Sequence, residues 1–119
     1  MSATLFERLG GTDAITRISS DIVDLHRQNP LISTRFGASD PTVLKATVAE
    51  FFITGTGGPP CYKGADMKSA HAHMNIDHAE FMAVLDDALK AMQHNNVGQR
   101  EMEEVLFILY SMRGDIIRT

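Results

Sequence analysis

Apolar residues recur along this chain at helical spacing and almost nowhere in strict alternation. Ile15, Ile18, Ile22 and Leu25 stand three or four residues apart, which predicts an amphipathic helix over 12–28. Thr12 or Asp13 is placed to cap its start, and Asn29-Pro30 marks its end. After the turn-forming "RFGASDP", Asp40-Pro41 reads as an N-cap followed by proline at the first helical position. Leu44, Val48, Phe51 and Phe52 make a second stripe until "TGTGGPP" breaks the helix. Asp77 and Glu80 have the spacing of a capping box, and Ile76 and Phe81 that of a hydrophobic staple. Behind them Phe81, Val84, Leu85, Ala88 and Met92 form a third stripe. Beyond the break at "HNNVG", Met102, Val105, Leu106, Leu109, Met112 and Ile116 form a fourth. The expected fold is all-α, with residues 1–119 as one domain.

Composition narrows the classes. Hydrophobic residues make up 44% and charged residues 22%, which suits a globular domain and not a disordered chain. A formal net charge of −4 speaks against nucleic acid as a partner. Cys61 is the only cysteine, so neither an intrachain disulfide nor a cysteine-based zinc site can form. "MSATLFERLGG" lacks the basic start and apolar run of a secretory signal. "VLFILY" is too short to span a bilayer, so no membrane span is expected and the cytoplasm is the expected location.

The candidate chemistry lies in "DMKSAHAHMNID", where one residue separates His71 from His73. On a strand both would share a face and could chelate one metal; on a helix they point roughly 200° apart. Met67, Ala70, His71 and Met74 are spaced i, i+3, i+4, i+7, which predicts a short helix with His71 on its apolar stripe. His73 then faces solvent. Spacing alone favours a core histidine bonded to a backbone carbonyl. The flanking thioethers and loops suit a second reading, one axial imidazole for a flat, apolar, iron-bearing cofactor. A zinc site from His71, His73 and His78 is poorer, because a helix spreads those side chains.

From "LFERLGGTDAI", through "FFITGTGGPPCYKGADMKSAHAHMNI", to the last two helices, the chain resembles the truncated haemoglobins, group I above all. The resemblance covers nearly the whole chain. It rests on the order and spacing of "LGG", "GGP", the tyrosine and glycine of "YKG", the methionine and histidine that follow, and the phenylalanine of "DHAEF". It implies a two-over-two helical sandwich around haem b, with a very short first helix. His71 matches the proximal histidine that binds the iron. Phe36 matches the aromatic residue packed on the porphyrin. Leu44, Phe51 and Phe52 match apolar positions of the distal helix, Phe52 at the family's gas tunnel. Met67 and Phe81 match residues packed on the proximal side. Tyr62 is placed to bond a haem propionate, and Lys68, Lys63 and Lys45 are further candidates for the same partners, although a solvated face suits each lysine.

Departures from the family pattern concern the distal side. The usual distal tyrosine is Val23, and the usual glutamine is Val48. With Leu44 these make the expected gas pocket apolar, with Thr47 its only nearby hydroxyl. His26 is expected to face solvent more than the cavity, and Ser19 is a weaker polar candidate. A hydrogen bond to bound O2 is worth roughly 1.5–3 kcal/mol, so its loss would weaken O2 binding by roughly 10- to 150-fold. The resemblance implies reversible binding of O2, CO and NO at a five-coordinate iron. The alternatives are a nitric-oxide dioxygenase or other haem redox enzyme served by a reductase, and a helical interaction module without haem.

Overall fold

A computed structural model describes residues 3–118. The chain opens with a single turn, α1 (Leu5–Arg8). The Thr4 hydroxyl accepts from the Glu7 N–H while the Glu7 carboxylate accepts from the Thr4 N–H, so a capping box holds this turn. "LGG" then redirects the backbone. Gly10 takes φ 106°, and a Cβ there would stand 2.8 Å from that of Ala14, so the junction requires glycine. Helix α2 (Gly11–Gln28) follows with Gly10 as its N-cap and no capping side chain. Thr12 and Asp13, expected to cap it, already lie inside its first turn, because α1 feeds α2 directly through the two glycines.

A 3₁₀ turn (Ser33–Phe36) leads to α3 (Pro41–Gly55), capped as expected by Asp40, which accepts from the Thr42 and Val43 N–H groups. Helix α4 (Met67–His71) is a short turn capped by Asp66. Helix α5 (His78–His94) starts at the Asp77–Glu80 capping box read from the sequence. The last stripe divides into α6 (Gln99–Ser111) and α7 (Arg113–Ile116), with the break at Met112. A glycine at 114 weakens any continuation, and packing on α4 holds the final turn.

Helix α2 packs on α3 and α5, and α5 pairs with α6, giving a two-over-two sandwich. Ile18 and Ile22 of α2 meet Ala88, Ala91 and Met92 of α5 and Met102 and Val105 of α6 in the main core. Ile76, Phe81 and Leu85 form a smaller one beside α4. The chain end is tied in as well: Ile117 bridges to Ile76, and the Arg118 N–H donates to the Ile76 carbonyl at 3.0 Å. The stripe of α3 behaves differently from the others. Ala49 and Ile53 are its buried residues, while Leu44, Val48, Phe51 and Phe52 are only half-buried. Among the described residues no helix is long and apolar enough to cross a membrane.

Candidate functional site

The half-buried face of α3 looks into a cavity of about 320 Å³, closed by α2, the 3₁₀ turn, α4, α5 and the chain end. Its walls are mainly apolar, with Ile22, Phe36, Leu44, Val48, Phe51, Phe52, Met67 and Phe81 among them. His71 reaches this wall from the last turn of α4. Its Nδ1 lies 2.8 Å from the Met67 carbonyl oxygen. A carbonyl only accepts, so Nδ1 carries the hydrogen and Nε2 keeps its lone pair. This is how a metal-binding imidazole is usually oriented, by a hydrogen bond from its other nitrogen. The carbonyl bond of the plain core reading is therefore present, and it leaves the ring with a donor atom to spare. His73 is exposed, as its place off the stripe required.

Most of the expected lining residues come together. Phe36, Leu44, Thr47, Val48, Phe51, Phe52, Tyr62, Met67, His71 and Phe81 all border the cavity. Two do not. Lys68 is exposed and away from the wall, as is Lys63. Val23 is 0% exposed, but Ile22 and His26 are the residues that α2 presents to the cavity. A branched side chain with no atom beyond Cγ fills the helix interface there and goes no further. The Thr47 hydroxyl donates to the Val43 carbonyl of its own helix at 3.1 Å, so its hydrogen is already engaged. The Tyr62 hydroxyl likewise donates to the Ala65 carbonyl at 2.6 Å, the hydrogen a propionate would need. Its ring packs edge-on against Phe51. Lys45 pairs with Asp24 at 2.9 Å. Cys61 is half-buried, with its backbone N–H held by the Thr54 hydroxyl. Ser19 is fully buried, away from the wall, and its hydroxyl has no partner among the described residues.

The main correction concerns His26, expected in solvent. It is 7% exposed, stacks on Phe36 with ring centroids 5.5 Å apart, and borders the cavity. Its Nδ1 lies 2.8 Å from Oδ2 of Asp87, a residue only 2% exposed. The Asn29 amide donates to both oxygens of the same carboxylate, at 3.2 and 3.3 Å. Burial pushes the His26 imidazole below its ordinary value of 6.5, more than the hydrogen bond and charge of Asp87 raise it. The pocket is thus not purely apolar on the α2 side. Asp87 was legible in part: it sits on α5 four residues from Ala83 and from Ala91, both buried, and so on an inward face.

Arg35 is the other residue that periodicity does not reveal. Its guanidinium bonds both carboxylate oxygens of Glu80, at 2.7 and 3.0 Å, and donates to the Met74 carbonyl at 2.7 Å. The Arg35 partner, helped by the Asp77 N–H, holds the Glu80 carboxyl below the usual range. One side chain thus ties the 3₁₀ turn, the segment after His71 and the start of α5 together. Among the described residues no group of three His, Cys, Asp or Glu side chains is arranged to hold a metal ion. Of the two imidazoles bordering the cavity, His26 is bonded to the Asp87 carboxylate and His71 to a backbone carbonyl.

The sequence profile of the bacterial-like globins matches residues 4–118. This chain belongs to that family. Relatives of this bacterial-like globin include the group 1 truncated hemoglobin of Nostoc sp., 24% identical over 97% of the chain and 98% of the relative. Another is that of Tetrahymena pyriformis, 25% identical over 96% and 94%. The globin superposes on the crystal structure of the Tetrahymena pyriformis truncated hemoglobin with a TM-score of 0.94, at 22% identity over 98% of this chain and 100% of the other. A group II truncated hemoglobin from Bacillus anthracis gives 0.90, at 23% identity over 100% and 94%. These likenesses confirm the two-over-two globin fold, the group I resemblance among sequences included.

Proposed function

We propose that this globin binds one haem b through Nε2 of His71 and reversibly holds a diatomic gas, O2, CO or NO, in the cavity. The observation that carries the reading is the His71 ring, oriented through Nδ1 by the Met67 carbonyl and bordering an apolar cavity. When bound, haem would supply ferrous iron, the chemistry that takes up such gases. The chain supplies the rest. Phe36, Phe51, Phe52 and Phe81 present aromatic surface to a flat apolar guest, and Leu44 and Val48 keep water from it. Met67 supports the reading twice, by its side chain at the wall and by its carbonyl on the histidine. Held by Asp87 through Nδ1, His26 is tethered against reaching across, which supports a five-coordinate ferrous state.

Reconstitution with haem tests this. Wild type and His73→Gly should give the same five-coordinate ferrous spectrum. His71→Gly should lose it and recover it with added imidazole. An unchanged spectrum in His71→Gly would remove the proposal. A six-coordinate ferrous spectrum that disappears in His26→Ala would overturn the five-coordinate part alone.

A further inference from the structure

The cavity has a second histidine whose chemistry the gas-binding reading does not use. His26 presents one ring edge to Asp87, and its only other polar atom, Nε2, belongs to the edge away from that carboxylate. Asp87 accepts from the Asn29 amide as well, an amide nitrogen that can only donate. With a carboxylate already serving as acceptor, Nδ1 carries the ring hydrogen, and Nε2 of the neutral ring is a lone pair. Such a nitrogen cannot donate to a gas molecule. It can take a hydrogen from a guest that has one.

We propose that the His26–Asp87 pair is a proton-accepting site for small protic ligands of the cavity, weak acids HX such as hydrogen cyanide, hydrogen sulfide or hydrogen peroxide. The H–X bond breaks, a new N–H bond forms at Nε2, and the electron pair stays on X−, free to ligate iron. The imidazolium so formed is balanced by Asp87, and its new N–H donates back to the anion. No oxidant or reductant takes part. Burial, which keeps the ring neutral near pH 7, keeps the lone pair available. The other charged groups bordering the cavity, Arg35 of the 3₁₀ turn and Glu80 of α5, are paired with each other. Asp87 is therefore the counter-charge to a protonated His26. A purely structural tie between α2 and α5 would need no tautomer and no ligand preference.

The inference rests on the haem reading, and the experiment separates the two. In the diamagnetic ferrous CO form, ring nitrogen NMR of wild type should show His26 protonated on Nδ1. In the ferric form at about pH 7, cyanide, there mostly HCN, should bind at least tenfold faster to wild type than to His26→Phe, below the roughly 100- to 10,000-fold of well-placed acid–base groups. CO carries no proton, and its binding to ferrous protein should change by less than about threefold, about half of one decade's 1.4 kcal/mol. Asp87→Asn decides the matter independently of whether His26→Phe folds. The amide it introduces donates to Nδ1, moves the hydrogen to Nε2, and should slow cyanide as much as removing the ring. A wild-type ring protonated on Nε2, or a cyanide rate unchanged in both variants, overturns the proposal and leaves haem binding intact. Absence of a haem absorption band in wild type overturns both.

Discussion

Asp87 receives three hydrogen bonds while almost fully buried, and removing it strands both donors. Each buried donor left without its acceptor costs about 1–3 kcal/mol. Asp87→Ala should therefore lower urea stability by about 3 kcal/mol, and Asp87→Asn, which keeps an acceptor, by clearly less. Acid adds a second signature. Because burial lowers the folded His26 value below 6.5, the unfolded chain takes up a proton at higher pH than the folded one. Stability is full above about pH 6.5 and falls as the pH drops toward the folded value, a fall that His26→Phe should flatten in denaturation curves at about pH 7.5 and about pH 5. At this scale the sequence was informative where periodicity settles direction. His71 and His73 separated correctly because a helix turns them apart. The direction of His26 was set by Asp87, 61 residues away, and no local spacing carries that partnership.

Among the elements, α4 is one of the short ones, five residues that a carbonyl-bound histidine terminates. The segment after it bends through His73 at φ 68° and Asn75 at φ 51°. An L-residue in that region costs about 1–2 kcal/mol, so His73→Gly should leave thermal stability unchanged within about 1 kcal/mol while sparing haem binding. What fixes the segment is Arg35, half-exposed and bidentate on Glu80. Arg35→Leu should lower thermal stability, by less than loss of a buried pair would because the guanidinium is screened by solvent, and should speed proteolysis between His71 and Asp77. Caps at Asp40 and Asp77 were readable because the side chain and the backbone it bonds lie within three residues. The junction of α1 with α2 and the break between α6 and α7 were not, since packing on other elements decides them.

At the scale of the molecule, four apolar stripes sufficed to predict an all-α domain, and the resemblance supplied how they stack. The stripe of α3 shows the limit of that logic. Apolar spacing says which side is hidden from water, not whether protein or a guest hides it. The chain end belongs to the same question, because Ile116 borders the cavity while Ile117 and Arg118 hold it against Ile76. Ile116→Ala should lower stability by about 1–2 kcal/mol, less than a fully buried isoleucine would, and should speed transfer of haem to an acceptor globin.

That same face of α3 has a bearing on the life of the chain in a cell. Leu44, Val48, Phe51 and Phe52 are only half-covered by protein, so whatever occupies the cavity completes the burial of a whole helix. Its free concentration then enters the folding equilibrium, and at 100 times its Kd it adds about 2.7 kcal/mol. Newly made polypeptide should consequently accumulate in proportion to the porphyrin available during synthesis. When that supply is short, degradation will thin the population before any shortage of gas-binding capacity is felt.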